Sequence, residues 1–168
     1  MVPVRPIARV FALAGAAVLA ATLSGCAATV SMTAAAAAND PGCAAVIVRL
    51  PDSVAGLSKD ETNAQSTAAW GNPVAVQLRC GVTPLGPTTQ PCVAVVVNGT
   101  EYDWVLESDP LAANLSYITF GRTPATEVTI AHAAGGVSDS DVLNALSGAI
   151  GAVPQSQTAK CLGATDAP

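Results

Sequence analysis

Four carboxylates, all at odd-numbered positions, form the strongest concentration of reactive groups: Glu101, Asp103, Glu107 and Asp109. Alternate side chains lie on the same face of a strand, so these four could share one face. Such a face could catalyse acid and base steps, hold a cation or dock a basic partner. Neighbours on one face of a straight strand are about 6.6 Å apart, too far to share one calcium ion. We therefore predict a solvated acidic face that is a candidate binding surface, and no metal site.

The single histidine, His132, belongs to no recognisable catalytic motif. A serine hydrolase needs a nucleophile beside a base, and the chain contains no G-x-S-x-G segment to present a serine. It also contains no phosphate-binding glycine loop, dinucleotide fingerprint or H-E-x-x-H motif. We predict no catalytic residues, no cofactor and no enzymatic activity. The alternative is a small envelope hydrolase that uses carboxylates, because carboxylate chemistry needs no sequence motif.

The two tryptophans, Trp70 and Trp104, stand in a chain that is only 4% aromatic. Large aromatic side chains usually pack in a core or under a loop. A role in stacking against a ligand is the alternative, so both residues are candidate binding residues.

The first cysteine, Cys26, ends a targeting segment. Arg5 and Arg9 precede an uncharged, apolar run from Val10 to Leu23, which is shorter than a bilayer-spanning helix. The run ends in Leu-Ser-Gly-Cys, which resembles the lipobox of bacterial lipoproteins. We predict a signal peptide over residues 1–25 and acylation of Cys26, by chains such as palmitate, in the mature protein.

The other four cysteines are Cys43, Cys80, Cys92 and Cys161. An even number in an exported chain predicts two disulfides, and three pairings are open. Zinc binding is disfavoured because no C-x-x-C pair occurs.

The charge balance limits the partners. Seven Lys or Arg against twelve Asp or Glu give a net charge of −5, which excludes an electrostatic case for nucleic acid. We predict a cell-membrane protein held on the extracytoplasmic face by its lipid. Its further partner would be another envelope protein or a small ligand.

Hydrophobic periodicity predicts the elements that position these residues. A short helix covers residues 43–50 and a strand covers 74–80. Asn98-Gly99 joins two strands in a hairpin, at residues 92–97 and 101–106. A second hairpin pairs 115–120 with 126–131, and Ser138-x-x-Asp141 resembles a capping box that begins a helix ending near Pro154. This order predicts an α+β fold of two layers, an antiparallel sheet of about five strands with two helices on one face.

The same patterns predict four segments. The signal peptide, residues 1–25, is followed by a lipidated flexible tether at 26–41, which is rich in Ala, Ser and Thr. The α+β domain covers 42–153. A C-terminal tail at 154–168 has little apolar content, and we expect a disulfide to hold it.

Several short segments of the domain resemble an actinobacterial family of exported lipoproteins known as domain of unknown function 3515. The resemblance covers about residues 42–153, and its segments are Cys43, Leu50-Pro51, Gly56, Ala69-Trp70-Gly71-Asn72-Pro73, Leu78-Arg79-Cys80-Gly81-Val82, Trp104 and Gly121-Arg122-Thr123. It implies an envelope location and one domain. It implies no particular activity, because the family's role is not established. It also implies the pairing Cys43–Cys80, which leaves Cys92–Cys161 as an addition.

Overall fold

The computed structural model describes residues 29–156 and 160–161. The predicted signal peptide and Cys26 lie outside the described residues. The described elements, in chain order, are α1 (Pro41–Ile47), β1 (Ser53–Val54), β2 (Leu57–Asp60), β3 (Thr67–Trp70), β4 (Val76–Val82), β5 (Cys92–Val97), β6 (Thr100–Leu106), β7 (Asn114–Thr119), β8 (Ala125–Ala131), α2 (His132–Gly135) and α3 (Asp139–Ile150).

The eight strands form one antiparallel sheet in the order β1-β2-β3-β4-β8-β7-β6-β5. Strand β8 lies between β4 and β7, so the chain leaves the sheet after β4, builds the β5–β6–β7 meander and returns. The centre of the sheet therefore joins segments that are about 50 residues apart in sequence.

The predicted fold class is wrong. The described chain is mostly β, with eight strands and only small helices, where we expected a two-layer α+β domain of about five strands with two helices on one face. The three missed strands, β1, β2 and β3, have two to four residues each. Strands this short are too brief to show a reliable alternation, and all four residues of β3 are buried.

Both predicted hairpins are confirmed. Strands β5 and β6 pair around Asn98 and Gly99, which both have positive φ angles, as a tight hairpin turn requires. Strands β7 and β8 form the second pair. The hairpin signal succeeds because turn chemistry and pairing lie within about fifteen residues.

Helix α3 is confirmed in its main part and buries the predicted apolar stripe, which includes Val142, Leu146 and Ile150. The predicted capping box is wrong, because the Ser138 side chain makes no capping hydrogen bond and pairs with the Ser140 hydroxyl at 2.7 Å. The core side of the sheet carries Trp70, Leu78, Trp104 and Ile130, among others, all fully buried.

Helix α3 contacts β1 and β5, the first and last strands of the sheet order, and it also contacts α1. One helix can reach both ends of an eight-stranded sheet only if the sheet is strongly curved around it. The side chains on the other side of each strand therefore form a convex outer face.

Candidate binding site

Both tryptophans are fully buried. Trp70 and Trp104 both belong to the core cluster, and the Trp70 indole donates a 3.2 Å hydrogen bond to the Pro51 carbonyl oxygen. Neither side chain reaches the surface, so the core interpretation is confirmed and neither tryptophan is available for ligand stacking.

The four predicted acidic residues do not share a face. Glu101 is exposed and lies 3.7 Å from the ammonium group of Lys160, whereas Asp103 is only 2% exposed. Glu107 and Asp109 are exposed but follow the end of β6. The prediction of a solvated acidic face is therefore wrong at Asp103.

The C-terminal segment covers Asp103. One carboxylate oxygen of Asp103 accepts a 2.6 Å hydrogen bond from the side chain of Gln155 and a 3.4 Å bond from the amide of Cys161. The same Gln155 side chain accepts a 3.3 Å bond from the buried Arg122 guanidinium. Burial lowers the pKa of Arg122, while the charge of Asp103 acts against that shift. Gln155 thus links a buried cation to a buried anion.

The two disulfides are the pairs that the family resemblance implied. Cys43–Cys80 joins α1 to β4 with a Cα separation of 5.4 Å. Cys92–Cys161 joins β5 to the C-terminal segment with a Cα separation of 6.0 Å.

The segment before α1, predicted as part of a flexible tether over 26–41, lies on the domain from Val30 onwards. Val30 pairs with the residues around Thr62: its amide donates to the Glu61 carbonyl oxygen at 2.8 Å, and its carbonyl accepts from Asn63. Farther along, the Ala37 amide donates a 3.0 Å bond to the Gly81 carbonyl oxygen.

A groove of about 340 Å³ lies between this segment and the outer face of β4 and β8. One side consists of the segment from Ser31 to Thr33. The floor is formed by Gln77, Arg79, Glu127 and Thr129. In the register of the two strands Arg79 faces Glu127 and Gln77 faces Thr129, which places the four side chains in a compact square.

An ion pair occupies the centre of the groove floor. The Arg79 guanidinium donates through Nε, at 2.7 Å, and through Nη2 to one oxygen of Glu127. The other Glu127 oxygen accepts a 2.9 Å bond from the hydroxyl of Ser116 on β7. Glu127 is thus held at both oxygens, and the charges of the floor cancel.

Hydrogen-bonding groups remain open around this pair. Within the described residues, three side-chain groups make no hydrogen bond: the side-chain amide of Gln77, the hydroxyl of Thr33 and the Nη1 group of Arg79. These groups can donate and accept, and Met32 adds one apolar surface. The groove is therefore suited to a small, polar, uncharged group.

His132 lies elsewhere, at the start of α2. Its Nε2 atom is 2.7 Å from one oxygen of Asp139, whose other oxygen accepts a 2.7 Å bond from the Tyr117 hydroxyl. Burial and the Asp139 carboxylate raise the pKa of Tyr117. This network ties the first turn of α3 to β7, and it was missed because Tyr117 and Asp139 are 22 residues apart.

The described residues hold neither a metal cluster nor a membrane-spanning helix. No group of three His, Cys, Asp or Glu side chains there is arranged to hold a metal ion. No described helix has the length and apolar character needed to cross a membrane.

Sequence reasoning missed the groove. In the sequence, Glu127 and Thr129 alternate with the apolar Val128 and Ile130, which indicates an outward direction, but nothing local pairs them with β4, about 50 residues earlier. The one signal was the opposite charge of two outward side chains, Arg79 and Glu127, on separate strands.

A comparison with protein-family models finds a family that matches most of the chain. A family model described as "Protein of unknown function (DUF3515)" matches residues 4–158. The resemblance noted from the short segments is thereby confirmed at the level of the domain. The comparison with curated proteins found no match, and the comparison with solved structures found none either.

Proposed function

We propose that this chain, which belongs to the family described as "Protein of unknown function (DUF3515)", is a non-catalytic binding protein of the cell envelope. In this proposal a lipid on Cys26 anchors the protein to the outer face of the cytoplasmic membrane, and the polar groove binds the ligand. The protein would be an exported lipoprotein of the actinobacterial kind.

The anchor is supported by the sequence. Arg5 and Arg9, the apolar run and the small residues before Cys26 match what signal peptidases and lipid transfer require. The two disulfides agree with an exported chain, since disulfides persist in oxidising compartments.

The groove is the observation that carries the binding role. It has the size of a small-molecule site, and its central ion pair is fixed by hydrogen bonds at Glu127. A floor that is already ordered loses little conformational entropy when a ligand binds.

Catalysis by the predicted carboxylates has weak support. A glycosidase-type mechanism needs two carboxyl groups that flank a substrate. Asp103 is buried and bonded to Gln155, while Glu101 is exposed and lies near Lys160. These two carboxylates therefore do not open into one common cleft.

The anchor is tested by mass spectrometry of the mature N-terminus and by membrane fractionation. We expect an acylated Cys26 as the first residue and release of the protein by Cys26→Ser. An unmodified N-terminus, or a Cys26→Ser variant that stays in the membrane fraction, would contradict the anchor.

The groove is tested by photo-crosslinking in the native envelope. A photoreactive side chain at position 77 should yield one recurrent adduct, which Thr129→Trp should abolish by filling the groove. The control carries the same group at Leu111, which is 95% exposed and lies outside the groove. Identical adducts at both positions would count against a groove ligand, and turnover of an envelope compound by the purified protein would replace binding with catalysis.

A further inference from the structure

The segment that forms one wall of the groove is also the segment that leads to the predicted anchor. Among the residues that the structure describes, its first contacts with the domain are at Val30, through backbone bonds to Glu61 and Asn63. The amide of Met32 adds a 2.8 Å bond to the Asn63 side chain. Beyond them, Ala38 is 5% exposed, and its carbonyl accepts a hydrogen bond from Ser66.

These contacts shorten the connection between lipid and domain. An extended chain spans at most about 3.6 Å per residue, so the four residues from Cys26 to Val30 reach about 14 Å. A tether that ended only at Pro41 would reach about 54 Å by the same rule. The structured segment thus removes most of the freedom that the composition suggested.

The geometry points to a groove that is held at the bilayer surface and binds the hydroxyl-rich, uncharged headgroup of a membrane lipid. This inference rests on the proposed anchor at Cys26. With Cys26 acylated, Ser31 and Thr33 on the groove wall stay within about 25 Å of the lipid headgroups, because seven residues cannot reach farther.

The chemistry of the groove selects the headgroup. The charge of Arg79 is balanced by Glu127, and Glu61 is exposed beside Val30, so a phosphate group would meet no net positive charge. The open groups include the side-chain amide of Gln77 and the hydroxyl of Thr33. The Thr129 hydroxyl also lines the groove, at 3.3 Å from the hydroxyl of Ser116, with which it shares a hydrogen bond. Amides and hydroxyls both donate and accept hydrogen bonds, as a sugar or polyol also does. The volume of about 340 Å³ suits a headgroup of one sugar or polyol.

The short connection is tested by energy transfer. The acylated protein carries a fluorophore at Thr33→Cys and is placed in phosphatidylglycerol vesicles that contain headgroup-labelled acceptor lipid and no sugar lipid, so that only the tether holds the groove near the bilayer. The matched variant has a 20-residue Gly/Ser insertion after Ala27, which adds about 25 Å of root-mean-square reach. We expect strong transfer that falls on insertion.

Two results are distinguishable. A protein that does not associate with vesicles refutes the anchor, and with it the proposed function. A protein that associates but shows equally weak transfer with and without the insertion leaves the anchor intact and overturns the short connection.

The headgroup is tested by flotation of the Cys26→Ser chain. Vesicles of phosphatidylglycerol alone are compared with vesicles that also contain glucosyl diacylglycerol. We expect flotation with the sugar lipid, weakened about fivefold by Gln77→Leu or Thr33→Val as one hydrogen bond to the headgroup is lost. Leu111→Ser is the control and should change nothing. Equal flotation on both vesicles, no flotation on either, or insensitivity to Gln77→Leu would overturn the headgroup assignment.

Discussion

Gly81 packs directly against the backbone of Ala37. The Ala37 amide donates a 3.0 Å hydrogen bond to the Gly81 carbonyl oxygen, and a Cβ atom on Gly81 would lie 2.6 Å from the amide nitrogen of Ala38. Gly81 also has a φ of +96°, which a residue with a side chain rarely adopts. Only glycine at position 81 allows the segment before α1 to lie this close to β4.

We expect Gly81→Ala to detach that segment and to lower the free energy of unfolding by about 2–4 kcal/mol, through backbone strain and overpacking. Urea denaturation measures the loss, and hydrogen exchange at the Ala37 amide reports the detachment. Gly86→Ala is the matched control, because a Cβ atom there meets nothing within 4 Å. An unchanged exchange rate at Ala37 in Gly81→Ala would show that the segment is not held by this contact.

Removing the charge of Asp103 should lower the free energy of unfolding much more than removing the charge of Glu107. Asp103→Asn leaves the buried Arg122 without its nearby anion, so we expect a loss of about 1–3 kcal/mol in unfolding free energy. Glu107→Gln, at an exposed position, should stay within about 0.5 kcal/mol of the parent protein. Thermal and urea unfolding of both variants give the comparison. Equal effects would mean that Asp103 is not buried by the C-terminal segment.

Tyr117 should make stability fall at alkaline pH. Its pKa is raised in the folded protein, while the unfolded chain loses the phenol proton near pH 10. The unfolded state therefore binds fewer protons above about pH 10, and the free energy of unfolding decreases as pH rises. Below that pH the contribution is fully present.

Tyr117→Phe should remove this alkaline slope and cost about 1 kcal/mol at neutral pH, since the bond to Asp139 is lost. Urea midpoints between pH 7 and pH 11 test both effects. An identical slope in the variant would assign the alkaline loss to other groups.

The Cys43–Cys80 bond should be the main covalent support of α1. A loop of 37 residues gives a stabilisation of about 4 kcal/mol in the chain-entropy estimate, and the double Cys→Ala variant should lose about that amount. Peptide mapping without reduction should recover Cys43 with Cys80 and Cys92 with Cys161. A peptide that links Cys43 to Cys161 would overturn both pairings.

The sequence by itself determined the features that depend on a single hairpin turn or on the apolar spacing within a single helix. Asn98-Gly99 defined the β5–β6 hairpin, and the apolar spacing from Val142 to Ile150 defined the buried face of α3. Both signals are local, because turn geometry and side-chain periodicity depend on neighbouring residues only.

Tertiary structure alone decided what covers each face. Alternation on β6 pointed Asp103 away from the core, and only the return of Gln155 and Cys161, more than 50 residues later, buried it. The groove likewise depends on the pairing of β4 with β8 and on a segment whose composition predicts a loose tether. A local pattern sets the direction of a side chain relative to its own strand. Which distant segment then lies against that side chain depends on the packing of the whole chain, and no window of sequence contains that information.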